Sequence, residues 1–390
     1  MKKEIVILGS TGSIGNSTLK SIEKQNNFII KLLTTHSNLK KVFKQAKKFK
    51  VKNVIVENEK KYREYKFKFQ KNKIKLHLGF KNINKVLKKK VLYCVNSISG
   101  IDGLEPTLHI IPFTKNILIA NKESIICGWD LISEQLKKHN TKFIPIDSEH
   151  YAIWKLIKNE DCKNIDKIIL TASGGPFLNI NKQKISNIKP EQALKHPNWN
   201  MGKKISIDSS TMMNKVFEFI EAKKIFNIDK KKLSILIHPI SFVHAIISFN
   251  SGIIKFLAHD TKMTIPISSA LEIKLKNKTN KFDNYLKNLN NMKFIKPKEK
   301  QFPLLSVINM LPDNNSFFET ILITLNDDLV HKYLNGEINY ISIQKNILSL
   351  INRPFLKKFY KLKPKNIYDI KNMIMITKNY ISNNLKYYEK

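Results

Sequence analysis

The 390-residue chain has only three cysteines, Cys94, Cys127 and Cys162, isolated and odd in number. That excludes a disulfide scaffold and points to free thiols in a reducing compartment. No apolar stretch is long enough to span a membrane. The apolar run in the opening MKKEIVILGS stops at Gly9, too early for a signal peptide. A cytoplasmic protein with no membrane partner is therefore expected. The sequence also lacks zinc-finger spacing, an RNP-like segment and a basic heptad helix, which argues against nucleic acid as its partner. It has no internal repeat.

What is present is ordinary in bulk: 42% hydrophobic and 26% charged residues. The charge balance is not ordinary, with a formal net charge of +38. A basic surface for nucleic acid or membrane is one reading. Compositional drift toward Lys, Asn and Ile is the other, and the lysines are spread rather than gathered in one stripe. Either way the field favours small anionic substrates.

The length allows two or three domains. Short apolar runs at residues 4–8, 28–33, 51–56, 91–95, 117–120 and 142–146 alternate with polar helical segments. This alternation predicts a parallel sheet with helices on both faces. Residues 60–90 are so rich in Lys and Asn that only a surface helix and loops are expected there. After Ile146 the pattern turns α+β, with strands expected at 168–171, 205–207, 234–237 and 245–249. The expected class is α/β: a Rossmann-like NADP-binding domain (1–146), an α+β catalytic domain (147–273), a linker (274–300) and a helical C-terminal domain (301–390). In the last, Ile370, Met373, Ile374 and Ile381 approximate one apolar stripe.

Four segments, and the short Asn121-Lys122-Glu123 beside them, carry chemistry. The first is Gly9-Ser10-Thr11-Gly12-Ser13-Ile14-Gly15, a GxxGxxG pattern between a strand and a helix. Without side chains there, backbone N–H groups can approach a pyrophosphate at the helix N-terminus. The second strand ends in Thr34-Thr35-His36-Ser37-Asn38 with no acid to hold a ribose 2′-hydroxyl. With Lys40 and Lys41 close by, this favours NADP over NAD.

The second segment is Asp147-Ser148-Glu149-His150, after the strand at 142–146. If the extended conformation continues, Asp147 and Glu149 point to one side. Such a pair needs a cation or a shared proton, and Glu218 is a third oxygen ligand in reach of the idea. An all-carboxylate set suits Mg2+ or Mn2+, whereas recruiting His150 would tilt it toward Zn2+. The third is Ala172-Ser173-Gly174-Gly175, whose small residues allow an anion nest. With Ser209, Asn214 and Lys215 it would enclose a phosphate. Lys122, in Asn121-Lys122-Glu123, is placed to polarise a carbonyl.

The fourth is the stretch from His196 to Ala222. It begins with a flexible tip, His196-Pro197-Asn198-Trp199, with Gly202 as pivot. Ser209, Ser210 and Thr211 are N-cap types, and Asn214, Lys215 and Glu218 then share a helical face.

Taken together, GSTGSIG, ANKES, PIDSEH, ASGGPF, HPNWNMGKKISIDSSTMMNK, FEFIEA and HPISFVH closely resemble the 1-deoxy-D-xylulose 5-phosphate reductoisomerase family. The resemblance spans roughly residues 1–266. It implies NADPH- and divalent-metal-dependent conversion of 1-deoxyxylulose 5-phosphate into 2-C-methylerythritol 4-phosphate, by retro-aldol cleavage, re-addition and hydride reduction. Asp147, Glu149 and Glu218 are implied as metal ligands. Lys122, Ser148, Glu149, Ser173, His196, Ser209, Asn214, Lys215 and Glu218 are implied at the substrate, with Lys122, Glu149 and His196 in the catalytic set. Thr11, Gly12, Ser13, Ile14, Asn38, Asn121, Glu123 and Gly202 would face the cofactor. Residues 196–203 would form a flap, with Trp199 over the substrate. Ser241, His244 and Met263 would lie near the site, and a homodimer is implied. Glu149, Lys122 and metal-bound water all qualify for proton transfer.

Some positions depart from the family pattern. His36-Ser37 replaces a usual Gly-Lys, Val216 a usual glycine and Ile240 a usual glutamine. Leu325-Asn326-Asp327-Asp328-Leu329 stands for a Leu-Asn-Ala-Ala-Asn-Glu segment. Two alternatives are a Rossmann dehydrogenase of the semialdehyde or homoserine type, without a metal-dependent rearrangement, and a basic nucleic-acid-binding protein with a degenerate nucleotide fold.

Overall fold

A computed structural model describes residues 2–180, 188–199, 201–274 and 282–385. The chain divides into two compact units. The first comprises Met1–Ile125, Trp129–Trp154 and Lys262–Asn277, the second Ile126–Gly128, Lys155–Thr261 and Lys278–Lys390. The boundary expected after Ile146 thus falls inside the first unit, which also takes residues from beyond 261. Part of the expected linker, residues 275–281, lies outside the described residues, as do Asn200 within the expected flap and residues 386–390. The rest of the linker is not plain coil, since it carries the helix Phe282–Asn290.

The first unit is a seven-stranded sheet of β1 (Lys3–Leu8), β2 (Phe28–Thr35), β3 (Asn53–Val56), β4 (Lys75–Leu78), β5 (Val91–Asn96), β6 (Thr114–Ile119) and β7 (Lys142–Pro145). The order is β4-β3-β2-β1-β5-β6-β7 and every neighbouring pair is parallel. Strands buried on both faces must be apolar throughout. Ile5, Ile7, Leu33, Val54, Val95 and Leu118 meet that demand and form one core. The chain leaves β1 toward β2 on one side and reaches β5 on the other. The carboxyl ends of β1 and β5 therefore flank a topological switch point, where open α/β sheets bind ligands. The late segment around the helix Thr264–Ala270 joins this core through Ile267 and Leu271. Glu272, just beyond it, accepts from Tyr93 Oη at 3.1 Å and pairs with Lys3 at 3.0 Å.

β4 was not expected. It lies in the Lys/Asn-rich stretch and forms the sheet edge, where its KLHL sequence stays part-exposed. An edge strand tolerates such charge, so the usual apolar signature is missing.

The second unit has a four-stranded sheet of β8 (Ile165–Ala172), β9 (Leu233–Ile237), β10 (Val243–Phe249) and β11 (Ile254–Ala258), in the order β11-β10-β8-β9. β10 runs antiparallel to β8 and β11, and β8 is parallel to β9. Helices follow at Phe317–Leu334, Tyr340–Ile351 and Ile367–Asn384. The first of these opens on a capping box between Ser316 and Glu319. Ile370, Met373 and Ile381 are buried as the stripe requires, whereas Ile374 is only half-buried.

One expected strand is a helix. Residues 205–207 lie within the helix Lys203–Ser210. Ser206 Oγ donates to Gly202 O at 3.1 Å and Ser210 Oγ to Ile207 O at 2.7 Å, so the hydroxyls are satisfied along the helix axis. The chain then breaks at Met212, with φ of 63°, before the helix Met213–Phe226. Ser209 and Ser210 accordingly end one helix and do not cap the next.

Candidate functional site

In the first unit, Gly9 to Gly15 form a tight cradle after β1. Gly9 has φ of +71°. A Cβ on Gly15 would come within 2.6 Å of Gly9 O and Ser10 Cα, so no side chain fits. Gly12 is the N-cap of the helix Ser13–Ile22, with no side-chain cap on the first turn. Gly12 N donates to Gly9 O at 3.1 Å and closes the turn, so the backbone N–H groups of Thr11, Ser13 and Ile14 at this helix N-terminus are the ones that suit a pyrophosphate. Neighbours brace the loop. Thr11 Oγ1 lies 3.0 Å from Thr35 Oγ1, Gly9 N donates to Thr34 Oγ1 at 2.9 Å, and Ser97 Oγ donates to Gly9 O at 3.1 Å. Buried Gln45 reaches back to Ser10 O at 3.0 Å. Sequence reasoning missed Gln45 and Ser97. The position of Ser97, directly after a strand next to β1, was the available signal.

Asn38 and Asn121 both act as helix caps. Asn38 Oδ1 accepts from Lys41 N at 3.2 Å. Asn121 Oδ1 accepts from Ser124 N at 2.7 Å, while its amide donates to Ile98 O and Gly100 O. Asn121 therefore ties the end of β6 to the loop after β5. Lys122 and Glu123 follow it and are buried.

Asp147 and Glu149 do not share a strand face, contrary to the extended reading. β7 stops at Pro145, and Ser148–Leu156 is helical. Asp147 leads into it, with Oδ1 accepting from Glu149 N at 3.3 Å and its carbonyl from Tyr151 N at 2.8 Å. A short acidic side chain is favoured there because it meets unpaired first-turn N–H groups. Its carboxylate lies 3.4 Å from Lys122 Nζ and 3.3 Å from Nδ1 of fully buried His150. Ser148 Oγ donates to Glu149 Oε2 at 2.5 Å. Asp147, Ser148, Glu149 and Lys122 thus gather beyond the carboxyl ends of β6 and β7.

In the second unit, β8 ends at Ala172 and the chain turns through Ser173-Gly174-Gly175, both glycines at positive φ. A Cβ on Gly175 would meet Ser209 O at 2.8 Å, so this turn abuts the helix end that carries Ser209. Ser173 Oγ accepts from Gly175 N at 3.0 Å and lies 3.0 Å from His196 Nε2. His196 Nδ1 accepts from Asn198 N at 3.1 Å and from Trp199 N at 2.9 Å. Two N–H groups aimed at Nδ1 require its lone pair, so the proton sits on Nε2 and is donated to Ser173. Desolvation pushes the His196 pKa down to about 4, which keeps the ring neutral. The Ser173 hydroxyl, accepting twice, is left to donate its own hydrogen to an anion.

The tip beyond His196 is held in place. Asn198 Nδ2 donates to Pro239 O at 2.6 Å and to Ser241 Oγ at 2.9 Å. Trp199 packs edge-on to His244, which stacks on His259 at 3.8 Å. His259 was not foreseen; its place after β11 was the only clue. Gly202 caps the helix Lys203–Ser210. On the helix Met213–Phe226, buried Glu218 accepts from both Lys215 Nζ and Asn214 Nδ2. The helix is buried nearly all round, so its polar residues are not a solvated face. Asp208, two per cent exposed, is fixed by Asn326 Nδ2 at 2.7 Å, and Lys204 pairs with Asp327 at 2.8 Å. The divergent 325–329 segment thus supplies packing partners of its own.

The chain matches known proteins along nearly its whole length. Residues 5–128 match the sequence family described as 1-deoxy-D-xylulose 5-phosphate reductoisomerase, and residues 143–226 and 259–380 match its two C-terminal domain families. The reductoisomerase of Pelagibacter ubique is 50% identical over 377 residues, covering 95% of this chain and 96% of that protein. The reductoisomerase of Wolbachia pipientis wMel is 40% identical over 347 residues, covering 87% and 88%. A solved structure of the Zymomonas mobilis enzyme in complex with NADPH superposes with a TM-score of 0.87 at 27% identity, covering 97% of this chain and 98% of that one. Another, of the reductoisomerase with NADPH, fosmidomycin and magnesium, gives 0.88 at 29% identity, covering 98% of both. The glycine cradle, the Lys122–Asp147 pair and the Ser173–His196 and Lys215–Glu218 contacts all fall within these matched regions, and the chain belongs to the 1-deoxy-D-xylulose 5-phosphate reductoisomerase family.

Proposed function

We propose that this chain converts 1-deoxy-D-xylulose 5-phosphate into 2-C-methyl-D-erythritol 4-phosphate, using NADPH and Mg2+ or Mn2+. Membership of the family sets aside the dehydrogenase and nucleic-acid-binding alternatives. Within the molecule, the observation that carries the reading is the Ser173–His196 arrangement. A serine that accepts twice and donates once, beside a neutral histidine, is built for a phosphate oxygen.

The residues fit the two groups. Gly9 and Gly15 let the loop close on its own backbone where a Cβ would clash, which holds the turn tight at the helix N-terminus where a dinucleotide pyrophosphate would sit. Asp147, Glu149 and Glu218, the residues we assign to the metal, are all oxygen donors of the kind a hard dication takes. When bound, the metal polarises the substrate's carbonyl and hydroxyl oxygens and the NADPH supplies hydride.

The chain's own residues do the rest. Ser173, His196, Ser209, Asn214 and Lys215 hold the phosphate, so that binding at the remote end orients the reacting carbons. Lys122 and Ser148 contact the reacting end. Glu149 and Lys122 are the protein's candidates for moving the proton. Thr11, Gly12, Ser13, Ile14, Asn38, Asn121, Glu123 and Gly202 serve the nucleotide. Residues 196–203 act as the flap, with Trp199 excluding water from the reacting pieces. Residues 1–146, 147–273 and 301–390 remain our functional division into nucleotide, catalytic and helical parts.

We also assign a homodimer and a cytoplasmic location. No helix among the described residues is long and apolar enough to cross a membrane. The edge strand β11 and the turn before it expose Ile253, Ile254 and Phe256, a surface that another chain would cover.

The test follows NADPH absorbance with 1-deoxyxylulose 5-phosphate, with and without Mg2+ or Mn2+. Metal-dependent oxidation is expected; no oxidation under either condition refutes the assignment.

A further inference from the structure

We infer that Lys41 selects the 2′-phosphate of NADPH over the free ribose hydroxyl of NADH. The inference rests on the reading of the glycine cradle as a nucleotide site and adds the residue that sets its preference.

The carboxyl end of β2 is where a dinucleotide fold meets the adenosine ribose. Here that end is joined to the cradle through Thr34 and Thr35. The residues that follow, His36, Ser37 and Asn38, are all exposed and include no acid. A carboxylate there would accept from a ribose 2′-hydroxyl and repel a phosphate, so its absence removes the device that selects NADH. Absence alone does not hold a phosphate; a fixed cation does.

One histidine and two lysines lie nearby. His36 faces the acidic Glu57 just after β3, which works against an anion there. Lys40 is exposed on the first turn of the helix Leu39–Lys48. Lys41 differs from both. Its Nζ donates to Thr11 O at 2.7 Å, so the ammonium is held at the seam between the cradle and the end of β2. One of its three hydrogens is used there, and two remain to donate. The same first turn is capped by Asn38, and its N-terminus adds a favourable partial charge for an anion. A phosphate on the ribose 2′-oxygen would meet both. A free hydroxyl would gain only an ordinary hydrogen bond.

The test measures the equilibrium dissociation constants of NADPH and NADH by fluorescence titration of the full chain, without substrate or metal. Wild type, Lys41→Ala, Lys41→Arg and Lys40→Ala are compared. Loss of a charge-assisted bond predicts an NADPH Kd raised about 10- to 100-fold in Lys41→Ala. Its NADH Kd should stay within about twofold, the scale of a lost exposed charge. Lys41→Arg should keep the preference and Lys40→Ala should leave it nearly intact. Equal weakening of both nucleotides in Lys41→Ala would show that Lys41 only braces Thr11, and would overturn the inference. An unchanged NADPH Kd, or a preference lost in Lys40→Ala instead, would overturn it too. Wild-type protein that binds neither nucleotide would remove the nucleotide reading, and this inference with it.

Discussion

Replacing His196 by asparagine and by alanine separates the two jobs the ring performs. Nδ1 accepts two backbone N–H groups, from residues two and three positions on. Asparagine places an oxygen where Nδ1 stands and reproduces that turn. It cannot also reach Ser173. Alanine loses both the turn and the Ser173 contact. One neutral hydrogen bond is worth about 1 kcal/mol, so His196→Asn should raise the substrate KM about fivefold. His196→Ala loses three such contacts and should raise it by about 2–3 kcal/mol, or roughly 30- to 150-fold. Steady-state kinetics at saturating NADPH and metal read both values, with kcat reported separately. Equal effects of the two variants would refute the division of roles.

The same ring makes a pH prediction. Its pKa is about 4 in the folded chain against an ordinary 6.5, because burial disfavours the charged form. The unfolded chain therefore binds the proton first. The stability that His196 contributes is fully present above pH 6.5 and is lost as the pH falls toward 4. Since the ring is half-buried, the loss is about 1–2 kcal/mol after solvent screening is allowed for. Urea unfolding at several pH values, wild type against His196→Asn, measures the difference. An ionisation near pH 6.5 in kcat/KM that disappears in His196→Asn would contradict the neutral tautomer.

Further expectations concern the other groups. Glu218→Gln should abolish metal-dependent turnover while leaving the NADPH Kd within about twofold, because one charge-bearing oxygen is lost from a hard-cation set; full activity in a kinetic assay would refute its role as a ligand. Gly15→Ala forces a methyl against Gly9 O and Ser10 Cα at 2.6 Å, so NADPH binding measured by titration should weaken by about 1–3 kcal/mol through overpacking. Cys94 and Cys127 are buried and their thiols pushed up by desolvation, Cys127 to about 12, whereas Cys162 is exposed. A thiol reagent should therefore titrate one group quickly in the native protein, and three fast thiols would contradict the burial.

The parts legible in the sequence were those where one local rule decided the outcome. The run Ile5 to Leu8 followed by glycine could only be a buried strand and a tight turn, and the cradle followed from it. Elsewhere a second element decided. Lys75–Leu78 looks like solvent-exposed coil until β3 offers a partner. Residues 205–207 carry two β-branched side chains and suggest a strand, but in-helix hydroxyl bonds and the break at Met212 make a helix of them. Asp147 was placed at the right end of the right strand. Its capping role was one of two readings left open, because a carboxylate after a strand can continue the strand or start a helix with equal ease.

The sequence view of the acids placed Lys215 on the face of Glu218 but missed the counter-ion of Asp147. Considered alone, Asp147, Glu149 and Glu218 demand a cation, since like carboxylates repel. The folded chain answers part of that demand within each unit. Lys122 lies beside Asp147 in the first, and Lys215 beside Glu218 in the second. A buried carboxylate left alone would cost several kcal/mol, and pairing offsets much of that. Each unit can therefore fold before any metal arrives. Both lysines were assigned to the substrate on other grounds, Lys122 to a carbonyl and Lys215 to a phosphate. A dication held by either carboxylate would compete with the lysine beside it and so favour that lysine's hold on the anionic substrate. The two lysines thus give a physical reason why metal and substrate should bind with mutual support, which a phosphate-binding titration with and without Mg2+ would detect.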